Sequence, residues 1–325
     1  MDEIGSNPKM IKKKILKGIR TALLRQGSAT KVELSEVLGI SFPTISKFLA
    51  EMEKEGEILA AGLDDSSGGR RAKRYRYNPE HRLGLAIFLE KSETKYTVFN
   101  CDGEVKDQGK APSVLTDDGL AHLTACLEGI MEAFPRIRSM AIGVPGSVNG
   151  GRIFYIPGYE EFENYDLKGY YERRFSIPVV IENDMNAAVL GYSASRSLKG
   201  QSLVYLYAGQ NGPGAGVMLN GEVVRGSTFF SGEVSFVPQF DHMNFGQAIS
   251  GEKGIDAVCR LAAAYTAILN PHTFIFCKGE VNAIHDIVSG SSKYVPAEHL
   301  PEFTVSDWEQ DYLYGLQTLC LDALV

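Results

Sequence analysis

The spacing of apolar residues changes abruptly near Asn78, and this change divides the 325-residue chain into two segments. Before Asn78, apolar residues recur at the spacing of helices. After it, short apolar runs of strand length alternate with helical stretches. Residues 1–78 carry 15 Lys and Arg against 10 Asp and Glu, a net charge of +5, and the whole chain carries −7, so residues 79–325 carry −12. We therefore predict a small basic domain over residues 1–78 and a larger acidic α/β domain over residues 79–325.

Three helices are predicted in the basic segment. The first is indicated by apolar residues that recur every four positions before Gly27: Ile11, Ile15, Ile19 and Leu23. The second covers residues 31–38 and ends at Gly39. The third begins after Ser41, a favourable N-cap, and has Pro43 in its first turn. Its predicted buried stripe consists of Ile45, Phe48, Leu49 and Met52.

The tight turn at Gly39 is typical of a helix-turn-helix, in which the second helix of the pair lies in the major groove of DNA. The side chains at the start of that helix would then reach the bases: Ser41, Phe42, Thr44, Ser46 and Lys47. A small helical domain can also bind protein, and the pattern alone leaves that alternative open.

Two short strands, residues 58–62 and 73–77, are predicted on either side of the polar turn 64–69. Such a hairpin would form the wing of a winged helix-turn-helix. Cations suited to phosphate contact or minor-groove entry cluster there: Arg70, Arg71, Lys73, Arg74 and Arg76. By alternation, Tyr75 and Tyr77 are expected to face the core.

The acidic segment is predicted to be an α/β domain that opens with a β-meander. Its elements are strands at 83–89 and 95–100, a helix at 119–134, and further strands at 139–144, 178–181 and 203–207. Residues 182–186 follow a strand, at the edge where open α/β sheets bind ligands.

Three turns of the acidic segment contain residues suited to a ligand. Gly146 allows a close approach of ligand to backbone, although a tight turn alone would also use glycine. Asn183 and Asp184 could bind hydroxyl groups, and Asp184 could take a proton; a helix cap is the alternative. Residues 210–216 form a predicted Gly-rich loop of a kind that can hold phosphate, although a Gly-rich hairpin needs no ligand.

Several other classes of protein are excluded by composition and by the sequence at the start of the chain. No run approaches the roughly 18 apolar residues of a membrane span. Residues 1–16 lack the pattern of a secretory signal, so we expect a cytoplasmic protein. The five cysteines are odd in number and never form a CxxC pair, which argues against a disulfide framework and a cysteine zinc site.

Along nearly its whole length the chain resembles the ROK family of repressors and sugar kinases. The resemblance depends on the order of motifs: the basic head with residues 67–71, then 143–148, 178–191, 212–233 and 270–279. It implies a two-lobed body with the actin-like ATPase, or ribonuclease H-like, fold behind a winged helix-turn-helix. It also implies a homodimer or higher homo-oligomer on a double-stranded DNA operator. In the family, the residues matching Asn183, Asp184 and Glu233 contact sugar hydroxyls, and Asp184 matches the kinase base.

The departures from the family pattern concern catalysis and zinc. Residues 86–90 replace the Asp-x-Gly-Gly-Thr type phosphate loop, and Phe88 and Glu90 there would crowd and repel a triphosphate. Zinc ligands are missing as well, since His242 is isolated and expected at the surface. Phe236 stands where a sugar-contacting His is expected, so the pocket should be more apolar. We expect no cofactor, no metal and no catalysis.

These observations predict a DNA-binding transcriptional regulator, a repressor of carbohydrate-related genes, whose body is a non-catalytic, sugar-kinase-like sensor. A sugar or sugar derivative bound near Gly146, Asn183, Asp184 and Glu233 would change DNA binding by preferring one arrangement of the dimer. Two alternatives remain: an active ATP-dependent sugar kinase with an appended DNA-binding head, and a regulator whose body binds no small molecule.

Overall fold

The computed structural model describes residues 8–63, 71–116, 118–156, 159, 162–209, 212–240, 242–279 and 284–324. The chain forms two compact units. The first comprises Met1–Leu83, Phe99–Lys106 and Leu324–Val325, and the second comprises Gly84–Val98 and Asp107–Ala323. The boundary between residues 78 and 79 remains a prediction.

The first unit begins with three helices and a three-stranded sheet of order β1-β3-β2. Its elements are α1 (Pro8–Gln26), β1 (Ala29–Thr30), α2 (Lys31–Leu38), α3 (Phe42–Lys54), β2 (Ile58–Leu63) and β3 (Lys73–Tyr77). Both β1 and β2 pair antiparallel with β3. The three predicted helices and the two predicted strands are all present.

Local sequence explains where α2 and α3 begin and end. Thr30 caps α2 through a capping box, in which its hydroxyl accepts from the Glu33 N–H and the Glu33 carboxylate accepts from the Thr30 N–H. Gly39 ends α2 with a φ of 63°, a conformation that favours glycine. Ser41 is the N-cap residue of α3 as predicted, but its side chain makes no capping hydrogen bond and contacts the Thr44 hydroxyl at 2.9 Å.

The apolar core of the first unit lies between the helices and the hairpin. The predicted stripe of α3 is buried, and so are Tyr75 and Tyr77 of β3. The apolar face predicted for α1 is buried only in its second half. Ile11 is exposed, and the buried residues begin near Ile19. The first turns of α1 therefore lack the tertiary cover that the spacing indicates.

Glu57 is a buried carboxylate that joins three parts of the first unit. Its side chain pairs with Arg20 of α1 at 2.6 Å and with Arg82 at 3.3 Å, and it accepts a hydrogen bond from the Tyr77 hydroxyl at 3.1 Å. Burial acts to raise the pKa of Glu57, but the Arg20 hydrogen bond and the two guanidinium charges hold it below its usual range. Removal of any one partner would leave a buried charge poorly compensated.

The part of the chain after β3 contains two five-stranded sheets, which belong mostly to the second unit. Its strands are β4 (Leu83–Leu89), β5 (Glu93–Asn100), β6 (Val105–Pro112), β7 (Ile137–Val144), β8 (Ser147–Asn149), β9 (Arg152–Tyr155), β10 (Val179–Asn183), β11 (Leu203–Gly209), β12 (Gly212–Leu219), β13 (Glu222–Val223), β14 (Pro238–Phe240), β15 (Met243–Asn244), β16 (Thr273–Cys277) and β17 (Glu302–Ser306). Its helices are α4 (Gly119–Ala133), α5 (Leu167–Phe175), α6 (Asp184–Ser195), α7 (Phe245–Ala248), α8 (Gly254–Leu269), α9 (Ile284–Ser291) and α10 (Trp308–Leu324).

The strand orders are β10-β7-β4-β5-β6 in one sheet and β13-β12-β11-β16-β17 in the other. In the first sheet β10 is parallel to β7, with Asn183 opposite Val144, so the carboxyl ends of the two strands lie side by side. In the second sheet β11 is antiparallel to β12 and parallel to β16. The α/β organisation predicted from the sequence is confirmed.

The described part of the predicted Gly-rich stretch 210–216 lies in a hairpin, as the alternative interpretation of this stretch expected. Gly212–Gly216 belongs to β12 and pairs with β11, with Gly216 opposite Tyr205. The glycines instead permit close packing of the sheet on α6: a Cβ on Gly216 would lie 2.1 Å from the Met185 carbonyl oxygen. Gln210 and Asn211 lie outside the described residues.

Helices α6 and α10 cross at two reciprocal glycines. A Cβ on Gly191 of α6 would lie 1.8 Å from the Asp311 carbonyl oxygen, and a Cβ on Gly315 of α10 would lie 1.9 Å from the Ala187 carbonyl oxygen. The two backbones are therefore in direct contact, with no side chain between them.

Candidate functional site

The four residues predicted to bind a ligand line one cavity of about 260 Å³ in the second unit: Gly146, Asn183, Asp184 and Glu233. The parallel pairing of β7 and β10 explains how Gly146 and Asn183 meet, since both follow the carboxyl ends of neighbouring strands. Glu233 comes from the segment after β13, beside the glycines of β12. The structure therefore brings the four residues together, and their role in binding a ligand remains a prediction.

Asn183 holds the cavity wall together. Its side-chain oxygen caps α6 by accepting from the Asn186 N–H at 2.9 Å, as the capping alternative expected. Its amide donates to the Gly146 carbonyl at 3.1 Å and to Asp184 Oδ1 at 2.9 Å. Asn183 thus links the turn after β7 to the carboxylate at the start of α6.

Asp184 is a buried carboxylate at the first position of α6. Burial raises its pKa to about 7, and the Glu233 carboxylate adds to the rise, although the Met185 N–H acts in the opposite direction. The hydrogen bonds of its side chain to described residues, from the Met185 N–H at 2.8 Å and from Asn183, both end on Oδ1. Oδ2 is left to receive a ligand hydroxyl or its proton.

Glu233 faces Asp184 across the cavity. Burial raises its pKa as well. The rest of the cavity wall includes glycines, prolines, two serines and the aromatic rings of Tyr207 and Phe236. Carboxylates beside an aromatic ring can recognise a small polyhydroxy molecule, because hydroxyl groups can donate to the oxygens while a ring covers an apolar face.

Two residues that the sequence did not single out support this cavity. Glu182 accepts from the Asn183 N–H at 3.0 Å and from the Asn186 side chain at 3.1 Å, and its other oxygen pairs with Arg225. Arg225 lies between β13 and Glu233. The sequence could have indicated a role for Glu182, because it lies at a strand end next to Asn183. Nothing in the sequence around Arg225 indicates its role.

Aromatic rings occupy the region beside the end of β4. This is where residues 86–90 replace the phosphate loop of the ROK kinases. Phe88 is buried and meets Tyr312 edge-on, with ring centroids 4.6 Å apart. The Tyr312 ring fills the space above Gly143, since a Cβ there would lie 1.9 Å from the hydroxyl oxygen. Burial, and then the Asp184 charge, raise the pKa of Glu90 to about 8. The rings of Phe88 and Tyr312 occupy this region, and Glu90 offers no positive charge there, so the surroundings do not favour a triphosphate.

The residues predicted to contact DNA lie in the first unit, and their exposure differs. Ser41, Phe42 and Lys47 are exposed at the start of α3, and Thr44 and Ser46 are partly covered. Arg71 is exposed before β3. Arg70 lies outside the described residues.

Lys73 and Arg74 are engaged within the first unit itself. Lys73 pairs with Glu53 at 2.5 Å. Arg74 donates to the Ser28 carbonyl at 3.1 Å and pairs with Glu33 at 3.1 Å. These contacts hold the β2–β3 hairpin against the helices. Lys73 and Arg74, which were expected to contact phosphate, therefore also stabilise the first unit.

Two further properties of the described residues concern metals and membranes. Within the ranges that the structure describes, no group of three or more His, Cys, Asp and Glu side chains could hold a metal ion, and His242 is exposed. No helix among them is long and apolar enough to cross a membrane.

Comparison with known sequences identifies the family. The ROK family matches residues 86–247, which include every residue of the cavity wall. The chain belongs to the ROK family. Curated ROK relatives include the xylose repressor of Caldicellulosiruptor bescii, 28% identical over 63% of this chain and 53% of the relative. The N-acetylglucosamine repressor of Escherichia coli O157:H7 is 22% identical over 65% of this chain and 54% of the relative. The chain thus spans about half the length of these relatives.

Solved ROK structures share the fold. A ROK family transcriptional regulator homologous to the E. coli MLC protein covers 96% of this chain and 97% of its own, with a TM-score of 0.71 and 19% identity. A ROK family glucokinase from Streptomyces griseus, solved with glucose and AMPPNP, covers 73% of this chain and 99% of its own, with a TM-score of 0.56 and 17% identity.

Proposed function

We propose that this ROK protein is a transcriptional repressor. In this proposal, the first unit is a winged helix-turn-helix that binds a double-stranded DNA operator, and the second unit is a non-catalytic sensor of a sugar. Repressors named for xylose and for N-acetylglucosamine are among its relatives, so a pentose, a hexose or an amino sugar is the class of effector to test. Dimerisation on a palindromic operator and a cytoplasmic location are parts of the same proposal.

The proposal depends on one observation: the solved ROK regulator matches a larger share of this chain than the solved ROK kinase does. The ROK regulator matches 96% of this chain, whereas the glucokinase matches 73%. Residues 84–325 make up 242 of 325 residues, a share close to that of the kinase match. The additional part in the regulator is therefore similar in size to the three helices and hairpin of the first unit.

The exposed start of α3 supports DNA binding by this first unit. Ser41, Phe42 and Lys47 are exposed, whereas the opposite side of the same helix is buried through Ile45 and Leu49. A helix held by one face and preceded by a tight glycine turn can present its first residues to the major groove.

The region beside β4 supports a sensor without catalysis. Glu90 and the buried Phe88 lie there, and the neighbouring Asp184 keeps the geometry that would bind a hydroxyl. A ligand held by Asp184 and Glu233 would change DNA binding if it preferred one of two arrangements of the protein.

The test is fluorescence anisotropy on DNA flanking this protein's own gene, at fixed salt, against random DNA of the same length. D-Xylose, D-glucose, N-acetyl-D-glucosamine and their phosphates are added in turn. Specific binding that one sugar alters is expected. ATP-dependent phosphorylation of any of these sugars that Asp184→Asn abolishes would instead establish a kinase. Specific DNA binding that no sugar changes, together with no thermal shift by any of them, would establish a ligand-independent regulator.

A further inference from the structure

A second, more apolar cavity lies next to the cavity that contains Asp184 and Glu233. The second cavity has a volume of about 320 Å³ and shares three residues with the first: Gly232, Glu233 and Phe236. Its remaining wall consists of Phe230, Val234, Val237, Pro238 and Tyr265. We call this second cavity the aromatic shelf. The first cavity and the shelf are therefore neighbours that meet at Gly232, Glu233 and Phe236.

The shelf is apolar apart from the carboxylate that it shares with the first cavity. Burial raises the pKa of Tyr265 to about 12, so this phenol is neutral at physiological pH. Among the residues that the structure describes, Glu233 is the one acidic residue in the shelf wall, and no basic residue lines it. These surroundings suit an uncharged apolar group.

Two aromatic rings of the shelf are exposed to solvent although they lie next to each other. Phe230 is 52% exposed and Phe236 is 62% exposed, and their ring centroids are 5.3 Å apart at an angle of 47°. This tilted pair leaves ring surface uncovered at the mouth of a polar cavity. An aromatic group placed there would be covered on more than one side and would remove apolar surface from water.

The geometry points to a glycoside with an apolar, aromatic aglycone as the ligand of the second unit. The sugar ring occupies the cavity with Asn183, Asp184 and Glu233, and the aglycone lies on the aromatic shelf against Phe230 and Phe236. This inference rests on the proposed function, because it assumes that the first cavity binds a sugar. It assigns the effector a second chemical part that a free monosaccharide lacks.

The test compares methyl and phenyl glycosides of D-xylose, D-glucose and N-acetyl-D-glucosamine, as both anomers, by isothermal titration calorimetry with the full chain. For the sugar that binds, the phenyl glycoside is expected to bind about tenfold more tightly than the methyl glycoside, because the phenyl ring becomes buried. Phe230→Ala should reduce this ratio towards one, since Phe230 lines the shelf and not the sugar cavity. Tyr314→Ala removes another exposed aromatic side chain and should keep the ratio.

Several results would overturn the inference. Equal binding of methyl and phenyl glycosides would show a sugar site without an aglycone site, and the proposed function would stand. A phenyl advantage that Phe230→Ala leaves intact would place the aglycone elsewhere. Loss of self-association in Phe230→Ala, measured by analytical ultracentrifugation without any phenyl advantage in the parent, would make the shelf an interface between copies. No binding of any glycoside would remove the inference, and the sensor function would fall with it only if the free sugars and their phosphates did not bind either.

Discussion

Arg225 forms an ion pair with Glu182, the residue whose other carboxylate oxygen holds the Asn183 N–H and the Asn186 side chain. Because Arg225 lies in the segment that leads to Glu233, this pair connects the two segments that contribute Asp184 and Glu233 to the cavity. Glu182 is almost completely buried and Arg225 is partly exposed, so removal of Arg225 would leave a buried carboxylate without its charged partner.

Arg225→Ala is expected to weaken sugar binding and to lower the free energy of unfolding by roughly 1–3 kcal/mol, because the Glu182 carboxylate loses its charged partner. Urea denaturation and calorimetry measure the two effects. Arg173→Ala removes an exposed arginine whose pair with Asp166 spans 3.9 Å, and it should change stability by less than about 1 kcal/mol. Equal effects of the two variants would contradict the role given to Arg225.

The sequence predicted the convergence of Gly146, Asn183 and Asp184 because strand ends and helix starts are local features. It could not predict Arg225, since the partner of an arginine is set by tertiary packing. The sequence left two explanations open for the glycines of β12 for a related reason: it shows that a side chain is absent, but not whether a ligand or the α6 backbone takes its place. Likewise, the exposure of Ile11 depends on what packs beside α1 rather than on its spacing.

Asp184 should make sugar affinity depend on pH. A sugar hydroxyl that donates to Asp184 prefers the ionised carboxylate, and burial raises the pKa of that carboxyl to about 7. Affinity should therefore be full above pH 8 and fall as the pH decreases below 7, by up to about tenfold per pH unit. Calorimetry at pH 6, 7 and 8 measures this, and Asp184→Asn should bind weakly without pH dependence. Affinity that increases on acidification would mean that the protonated acid is the ligand-binding form.

Glu90 should make the folded state less stable as the pH rises. Its pKa is raised to about 8 by burial and by Asp184, from an ordinary value of 4.5, so between these values the folded state binds more protons than the unfolded state. Stability is then lost as the pH increases from about 4.5 to 8. Glu90→Gln should flatten this dependence and raise stability at pH 8 by about 1 kcal/mol or more. Urea unfolding across this pH range tests it, and parallel curves for the two proteins would argue against the assignment.

Lys47→Ala and Arg71→Ala should each weaken operator binding and, where the contact is to phosphate, make the dependence on salt shallower by about one ion. Both side chains are exposed in the first unit. Lys199→Ala removes an exposed lysine of the second unit and is the matched control. Anisotropy titrations at several salt concentrations measure the slopes. If the control variant changed the slope as much as Lys47→Ala, the head would not be the DNA-binding surface.

Arg74→Ala should lower the free energy of unfolding of the first unit more than it lowers affinity for DNA. Its guanidinium holds the Ser28 carbonyl and Glu33, and Glu33 in turn completes the capping box with Thr30. The variant is expected to unfold at lower urea concentration, at a cost of roughly 1 kcal/mol. Thr30→Ala should cost about 0.5–2 kcal/mol through the same cap. If Arg74→Ala left stability unchanged but weakened DNA binding, Arg74 would be a phosphate contact rather than a structural residue.

The backbone contact between α6 and α10 determines how a change at the cavity can spread through the second unit. Side-chain layers between helices can absorb a shift of a few tenths of an ångström by changing rotamers, but Gly191 and Gly315 leave no such layer. A rotation of α6 that starts at Asp184 must therefore carry α10 with it. We therefore expect α6 and α10 to move together. A bulkier residue at either glycine would clash with the opposite backbone and separate the two helices.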